Sequence, residues 1–222
     1  MSDLSLLVSC CASLCVFRIA YAVLIRCKVG DAMCVSRLVS SLHAGALIAL
    51  GLQWVGSLAD LAGWVHRARA VPIGYLLHDI HLCLTEPTLW SKTNLAHHTV
   101  FLPMVYYGAA AHPHHTAHSF FAEVTVFPLF LGQTMLRTGA SARQPWLFKS
   151  NLAALLAVFL RFRVYTFTRF ALDALVALGP SSPFTAMMGS FAMLNWYWFG
   201  VICIRVVWAL QGRPAEQVAA RR

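Results

Sequence analysis

Seven apolar stretches, each close to the length that crosses a bilayer, fill this chain and leave little polar sequence between them. They run at roughly residues 4–25, 38–58, 71–87, 95–111, 117–136, 150–170 and 184–210. A spanning helix needs about 20 mostly apolar residues. In hydrocarbon no water satisfies a free peptide group, so a segment that crosses as a helix carries its hydrogen bonds within itself. Only 11% of the 222 residues are charged, where a soluble domain carries roughly 25%. The expectation is an all-α integral membrane bundle. The breaks carry turn and interface chemistry: Lys28-Val29-Gly30-Asp31, the Arg67–Pro72 stretch, Glu86-Pro87, Ala111-His112-Pro113, the Arg137–Lys149 stretch and Gly179–Pro183. Trp64, Trp90 and Trp146 lie near predicted helix ends, at the depth indole rings favour.

Charge orients the segments. If seven helices alternate, one side receives Arg26, Lys28, Arg37, Lys92, Arg137, Arg143, Lys149, Arg213, Arg221 and Arg222, and the other receives Arg67 and Arg69. Ten against two predicts a non-cytosolic N-terminus and a basic cytosolic tail at 211–222. The formal charge of +9 is therefore read as loop asymmetry and not as a nucleic-acid footprint. Asp3 in place of a basic n-region, and Arg18 within the first apolar run, favour a retained helix over a cleaved signal. The seven cysteines show no CxxC pair or zinc-ligand spacing. Reduced, packed thiols are expected.

Polar residues inside the helices point to a site. Ionisable side chains are costly in hydrocarbon and persist where they face a cavity or one another. Helical spacing puts Tyr75, Asp79, Cys83 and Glu86 on one stripe of the third segment, and Gly74, His78, His81 and Thr85 on the adjoining stripe. One broad polar face lining a cavity is the expectation. Asp79 needs a partner there, with His78, His81, His43, Arg205 and Arg161 as candidates. His97-His98 opens the fourth segment; successive helical residues are rotated by about 100°, so one ring acts while the other orients it or faces the headgroups. Farther along lie Glu123, Gln133, Arg161, Arg163, Asn195, Tyr197 and Arg205. Arginine suits bidentate binding of a carboxylate or lipid headgroup; snorkelling or cross-helix bonding is the expectation for Arg163 and Arg169. The cluster from His112 to His118 is read as a solvated turn facing the headgroups.

These residues, in this order, resemble the TLC domain, the membrane domain of ceramide synthases and their relatives. The resemblance is carried by Ser36-Arg37-Leu38-Val39-Ser40-Ser41-Leu42-His43, Gly74-Tyr75-Leu76-Leu77-His78-Asp79-Ile80, His97-His98, Ala122-Glu123-Val124-Thr125-Val126-Phe127 and Leu194-Asn195-Trp196-Tyr197-Trp198-Phe199, over roughly residues 36–210. It implies a six-helix core at 36–210 preceded by one transmembrane helix and a cytosolic loop at 1–35, in the endoplasmic reticulum or another endomembrane. Two departures separate the chain from ceramide synthases. Thr99 follows His98 directly, and Ala122-Glu123 stands where a His-Asp-x-x-Asp element belongs. The match is closer to smaller TLC-domain proteins of lipid homeostasis.

Two functions follow from the resemblance. The first is binding or regulation of membrane phospholipid or sphingolipid, with His43, Tyr75, His78, Glu123, Asn195 and Arg205 as lipid contacts. The second is N-acyl transfer from acyl-CoA, with His97 or His98 reacting and Asp79 orienting an imidazole. No metal or other cofactor is called for. A di-iron hydroxylase needs histidine boxes of other spacing. A transporter of inverted repeats needs paired broken helices, which the pattern lacks.

Overall fold

The computed structural model describes residues 3–56 and 60–211, and every regular element among them is helical. The helices are α1 (Asp3–Arg26), α2 (Ala32–Gly56), α3 (Leu61–Thr85), α4 (Lys92–Ala111), α5 (Pro113–Phe120), α6 (Val126–Arg137), α7 (Ala140–Arg143), α8 (Pro145–Val158), α9 (Thr166–Leu178) and α10 (Pro183–Leu210). A 3-10 segment, Phe121–Thr125, joins α5 to α6, and a π-helical segment, Phe159–Tyr165, joins α8 to α9. Seven helical rods result, one for each apolar stretch. Four are long and apolar enough to cross a membrane: Asp3–Arg26, Ala32–Trp54, Pro113–Arg137 and Pro183–Leu210. That set is compatible with an integral membrane protein. The basic tail expected from 211 onward lies, after Gln211, outside the described residues.

Local chemistry sets the helix ends. Asp60 caps α3 by accepting from the Gly63 N–H at 2.9 Å, and Ser91 caps α4 by accepting from Asn94 N–H at 3.3 Å. Gly139 adopts φ +69°, a conformation that costs glycine little, and turns the chain after α6. The expected break at Arg67–Pro72 is absent: α3 starts at Leu61 and runs through Pro72. Proline removes one helical N–H, yet Trp64, Ala68 and Pro72 are all buried, and that packing holds the first turns helical. Trp64 is correspondingly no interface residue. It is 2% exposed and donates to the Leu50 carbonyl at 2.8 Å.

The core sits between α1, α3, α4, α9 and α10, around Phe17, Leu76, Phe101, Val105, Phe167 and Phe191. The outward surface is apolar as well, with Val176 88% and Met193 74% exposed. A surface of that kind needs an apolar surrounding or partner. All seven cysteines are free. Cys10 and Cys83 are buried, whereas Cys11 and Cys15 face outward.

Candidate functional site

α3 and α4 frame a cavity of about 460 Å³ closed by α2, the Phe121–Thr125 segment, α6, the π segment and α10. Small-molecule sites occupy roughly 300–1,000 Å³. Of the sequence-predicted residues, His43, Tyr75, Asp79, His97, His98, Glu123 and Arg205 line it; His78 and Asn195 do not.

At its centre His98 Nε2 meets Asp79 Oδ2 at 2.5 Å, both residues being 9% exposed. His98 is thus the partner Asp79 takes, and none of the five candidates named from sequence fills that role. His98 Nδ1 is buried without a hydrogen-bond partner. Beside the pair, Tyr75 shares a 2.7 Å hydrogen bond with Ser40 and stacks on His43, ring centroids 3.8 Å apart and 9° from parallel. His97 is turned away from Asp79 into an aromatic nest, 5.0 Å from the Phe191 ring and 4.8 Å from that of Trp198. The rotation between neighbours on a helix separates the two histidines, so His98 carries the polar contact and His97 the packing.

The broad polar face expected on α3 divides the same way. Tyr75, Asp79 and Cys83 face the cavity. The adjoining stripe faces α1, where His78 is 1% exposed, its ring lying against those of Phe17 and Tyr21. Arg18 reaches His81 Nε2 at 2.7 Å. A helix has two sides, and α1 takes the second one. Asn195 is also displaced: it is fully buried and spends its amide on the Phe191 carbonyl at 2.8 Å.

Glu123 lines the cavity but is already paired. Arg163 donates to Glu123 Oε1 at 3.1 Å and to Thr125 Oγ1 at 2.8 Å. The π segment delivers Arg163 to that pair; wide helical turns of this kind occur frequently at functional sites. Cross-helix bonding is therefore what Arg163 does. Arg169 instead pairs within α9, with Asp173 at 3.0 Å, and the Arg161 guanidinium lies 5.1 Å from the Tyr165 ring centroid.

Ser40, Arg37 and Thr125 complete the site and were not singled out as contacts by the sequence. Ser36, Ser40 and His43 recur at helical spacing on α2, and that recurrence is the signal that marks the face.

The histidine cluster at 112–118 is not a turn. Pro113 occupies the first turn of α5, a position that proline favours. His112 and His115 line a second, smaller cavity of about 170 Å³ with Asp173, Phe170 and Phe184. The two cavities divide α4 between them, Thr93, Asn94, His97, His98 and Phe101 lining the first and Met104 and Gly108 the second. Among the described residues no group of three or more histidine, cysteine or acidic side chains is placed to hold a metal.

Together these features define an all-helical protein with apolar walls around a polar, histidine–carboxylate cavity. No known family, curated protein or solved structure matches the chain.

Proposed function

We propose that this protein is a multi-pass membrane protein of the TLC-domain type that binds a membrane lipid in the larger cavity and acts in lipid homeostasis. One observation carries the reading: a cavity of about 460 Å³ combines apolar walls, such as Leu129, Phe130 and Val201, with the Asp79–His98 pair. Acyl chain fits the walls. A polar headgroup fits the pair and its neighbours, because ionisable groups at such depth that face a cavity mark ligand sites. The six-helix core, the endomembrane location and the cytosolic placement of the histidine end belong to the same proposal.

Lipid that co-purifies with the protein tests it. Native mass spectrometry of wild type is expected to show bound phospholipid or sphingolipid, and both Asp79→Ala and His98→Ala are expected to change its identity or occupancy. An unchanged lipid profile in both variants would overturn the assignment.

A second reading, N-acyl transfer, is favoured by one detail of His98. Asp79 engages Nε2 and leaves Nδ1 unpartnered, the arrangement in which a carboxylate orients an imidazole for proton transfer. In that reaction an amine attacks the thioester carbonyl, the C–S bond breaks, and the amine proton passes through His98 to the departing CoA thiolate. Purified protein given a long-chain base and acyl-CoA either forms amide, with His98→Ala inactive, or forms none and excludes the reaction.

A further inference from the structure

Arg37 stands out among the charged residues of the larger cavity. The lining holds three arginines, Arg37, Arg163 and Arg205, against two carboxylates, Asp79 and Glu123. Both carboxylates are engaged, Asp79 by His98 and Glu123 by Arg163. Arg37 forms no ion pair with any described residue. Its Nε is buried without a hydrogen-bond partner, and a terminal nitrogen finds a thioether, Met33 Sδ, at 3.6 Å. A guanidinium carries five N–H donors in a planar fork and keeps its charge. Holding such a group on a cavity wall with sulfur as its acceptor leaves most of its hydrogen bonding to whatever enters the cavity.

The surroundings narrow what that is. Ser36 and Ser40 flank Arg37 on the same cavity wall, and Ser40 is oriented by Tyr75. Trp90, Ser91 and Asn94 line the cavity near the start of α4, so the polar rim gathers toward the α1–α2 and α3–α4 connections while Phe130, Phe159 and Val201 supply apolar wall. We infer that Arg37 anchors an oxyanion, a phosphate or carboxylate, in the larger cavity, and that the anion is the head of an acyl-chain lipid. The inference rests on the reading of this cavity as a lipid site and adds the charge of the ligand. A bidentate guanidinium–oxyanion contact has two parallel N–H···O bonds and is stronger than a neutral one. A neutral lipid of the same tails leaves the guanidinium unsatisfied.

Fluorescence of Trp90 and Trp198, both on the cavity wall, supplies a readout in the full-length protein held in an uncharged detergent. The probes are phosphatidic acid, diacylglycerol with the same tails, and inorganic phosphate. Wild type is expected to bind phosphatidic acid at least ten-fold more tightly than diacylglycerol. Arg37→Gln is expected to remove that preference, so that the two lipids bind with equal affinity, and Arg37→Lys to retain part of it. Equal affinity of wild type for the two lipids overturns the inference without any variant, and so does an Arg37→Gln protein that keeps the preference. Failure of both lipids to bind wild type refutes the lipid site itself, and the inference with it. Inorganic phosphate that competes at millimolar concentration supports the anion contact and locates the recognition in the headgroup. Inorganic phosphate that binds wild type with the affinity of phosphatidic acid identifies a free-anion site and overturns the lipid part.

Discussion

At the scale of single residues, the Asp79–His98 contact is the feature whose removal should be felt most. Each side chain is about nine-tenths buried, 11% exposed for the histidine and 12% for the aspartate. Breaking a buried pair by removing one partner costs roughly 3–5 kcal/mol, because the other is stranded without compensation. Replacing both by apolar groups of similar volume is often neutral. His98→Leu is therefore expected to lower unfolding stability in detergent by about 3 kcal/mol, and Asp79→Leu on top of it to recover part of that loss. A double-mutant cycle measures the coupling, expected at about 1 kcal/mol or more. Strictly additive losses would show that the two side chains do not act as a pair. The contact illustrates what was legible beforehand. That Asp79 needs a partner follows from its place in an apolar segment, but His98 is not among the five partners the sequence offers and is paired with Asp79 only in the acyl-transfer reading. Which histidine it is depends on the roll of α4 about its axis. That roll is fixed by Phe191 and Trp198 of α10 packing on His97, contacts between chain positions too far apart for periodicity to reveal.

At the scale of elements, close approach of α1 to α3 does what the polar pattern alone did not foresee. Gly74 lies so near α1 that a Cβ built on it falls 2.5 Å from Ser13 Cβ and 2.7 Å from the Leu14 backbone nitrogen. Backbone cannot swing aside as a side-chain tip does. Gly74→Ala is expected to push α1 off α3 and to loosen the pocket around His78, despite alanine's better helix propensity of about 1 kcal/mol. Cys10 reports the change: it is 8% exposed on α1, so its alkylation rate, read by peptide mapping, should rise several-fold in the variant. An unchanged rate together with an unchanged melting temperature would mean that the helices accommodate the methyl. The second stripe of α3 was visible in the sequence as polar. Its covering by α1 was not, because the assignment of faces depends on which rods become neighbours.

A different contact ties α2 to α6. Asp31, in the α1–α2 connection, accepts from the Cys34 N–H at 2.7 Å and from Arg137 Nη1 at 3.1 and 3.2 Å. The Cys34 N–H first, and the Arg137 guanidinium after it, hold the Asp31 carboxyl below its usual range. The folded state thus favours the charged form. Its contribution is complete above the unfolded value of about 3.9 and is lost as pH falls through the lower, folded value. The site is exposed, so the contribution is modest and weakened by salt. Asp31→Asn is expected to melt slightly below wild type at pH 7 and together with it once both forms are neutral at strongly acidic pH. A gap that persists or widens in acid would contradict the assignment.

For the whole molecule, the decisive quantity is the direction of each rod. Four rods meet the length and apolarity needed to cross a membrane, and α3, α4 and the continuous stretch from α8 to α9 lie between or beside them. The Asp31–Arg137 tie brings the α1–α2 connection and the end of α6 to one end of the bundle, which is what alternating rods require. The proposed topology, read from the ten-to-two division of basic residues, puts that end in the cytosol. Between Cys27 and Ser181 lie five rods, counting α5 with α6 and α8 with α9. If all five cross, the two positions face opposite sides. Both are exposed. In a variant that keeps Cys27 as its sole cysteine, a membrane-impermeant maleimide should label the protein as soon as the plasma membrane alone is opened. In a second variant whose sole cysteine is introduced by Ser181→Cys, labelling should wait until the internal membranes are dissolved. The reverse pattern would invert the orientation while keeping the rod count. Labelling of both at the first step would mean that an odd number of the five rods fails to cross, and α3 and α4, which bear the Asp79–His98 pair, would be the first to re-examine. The outcome bears directly on the cavity, because it decides whether its polar rim opens to the compartment that holds acyl-CoA.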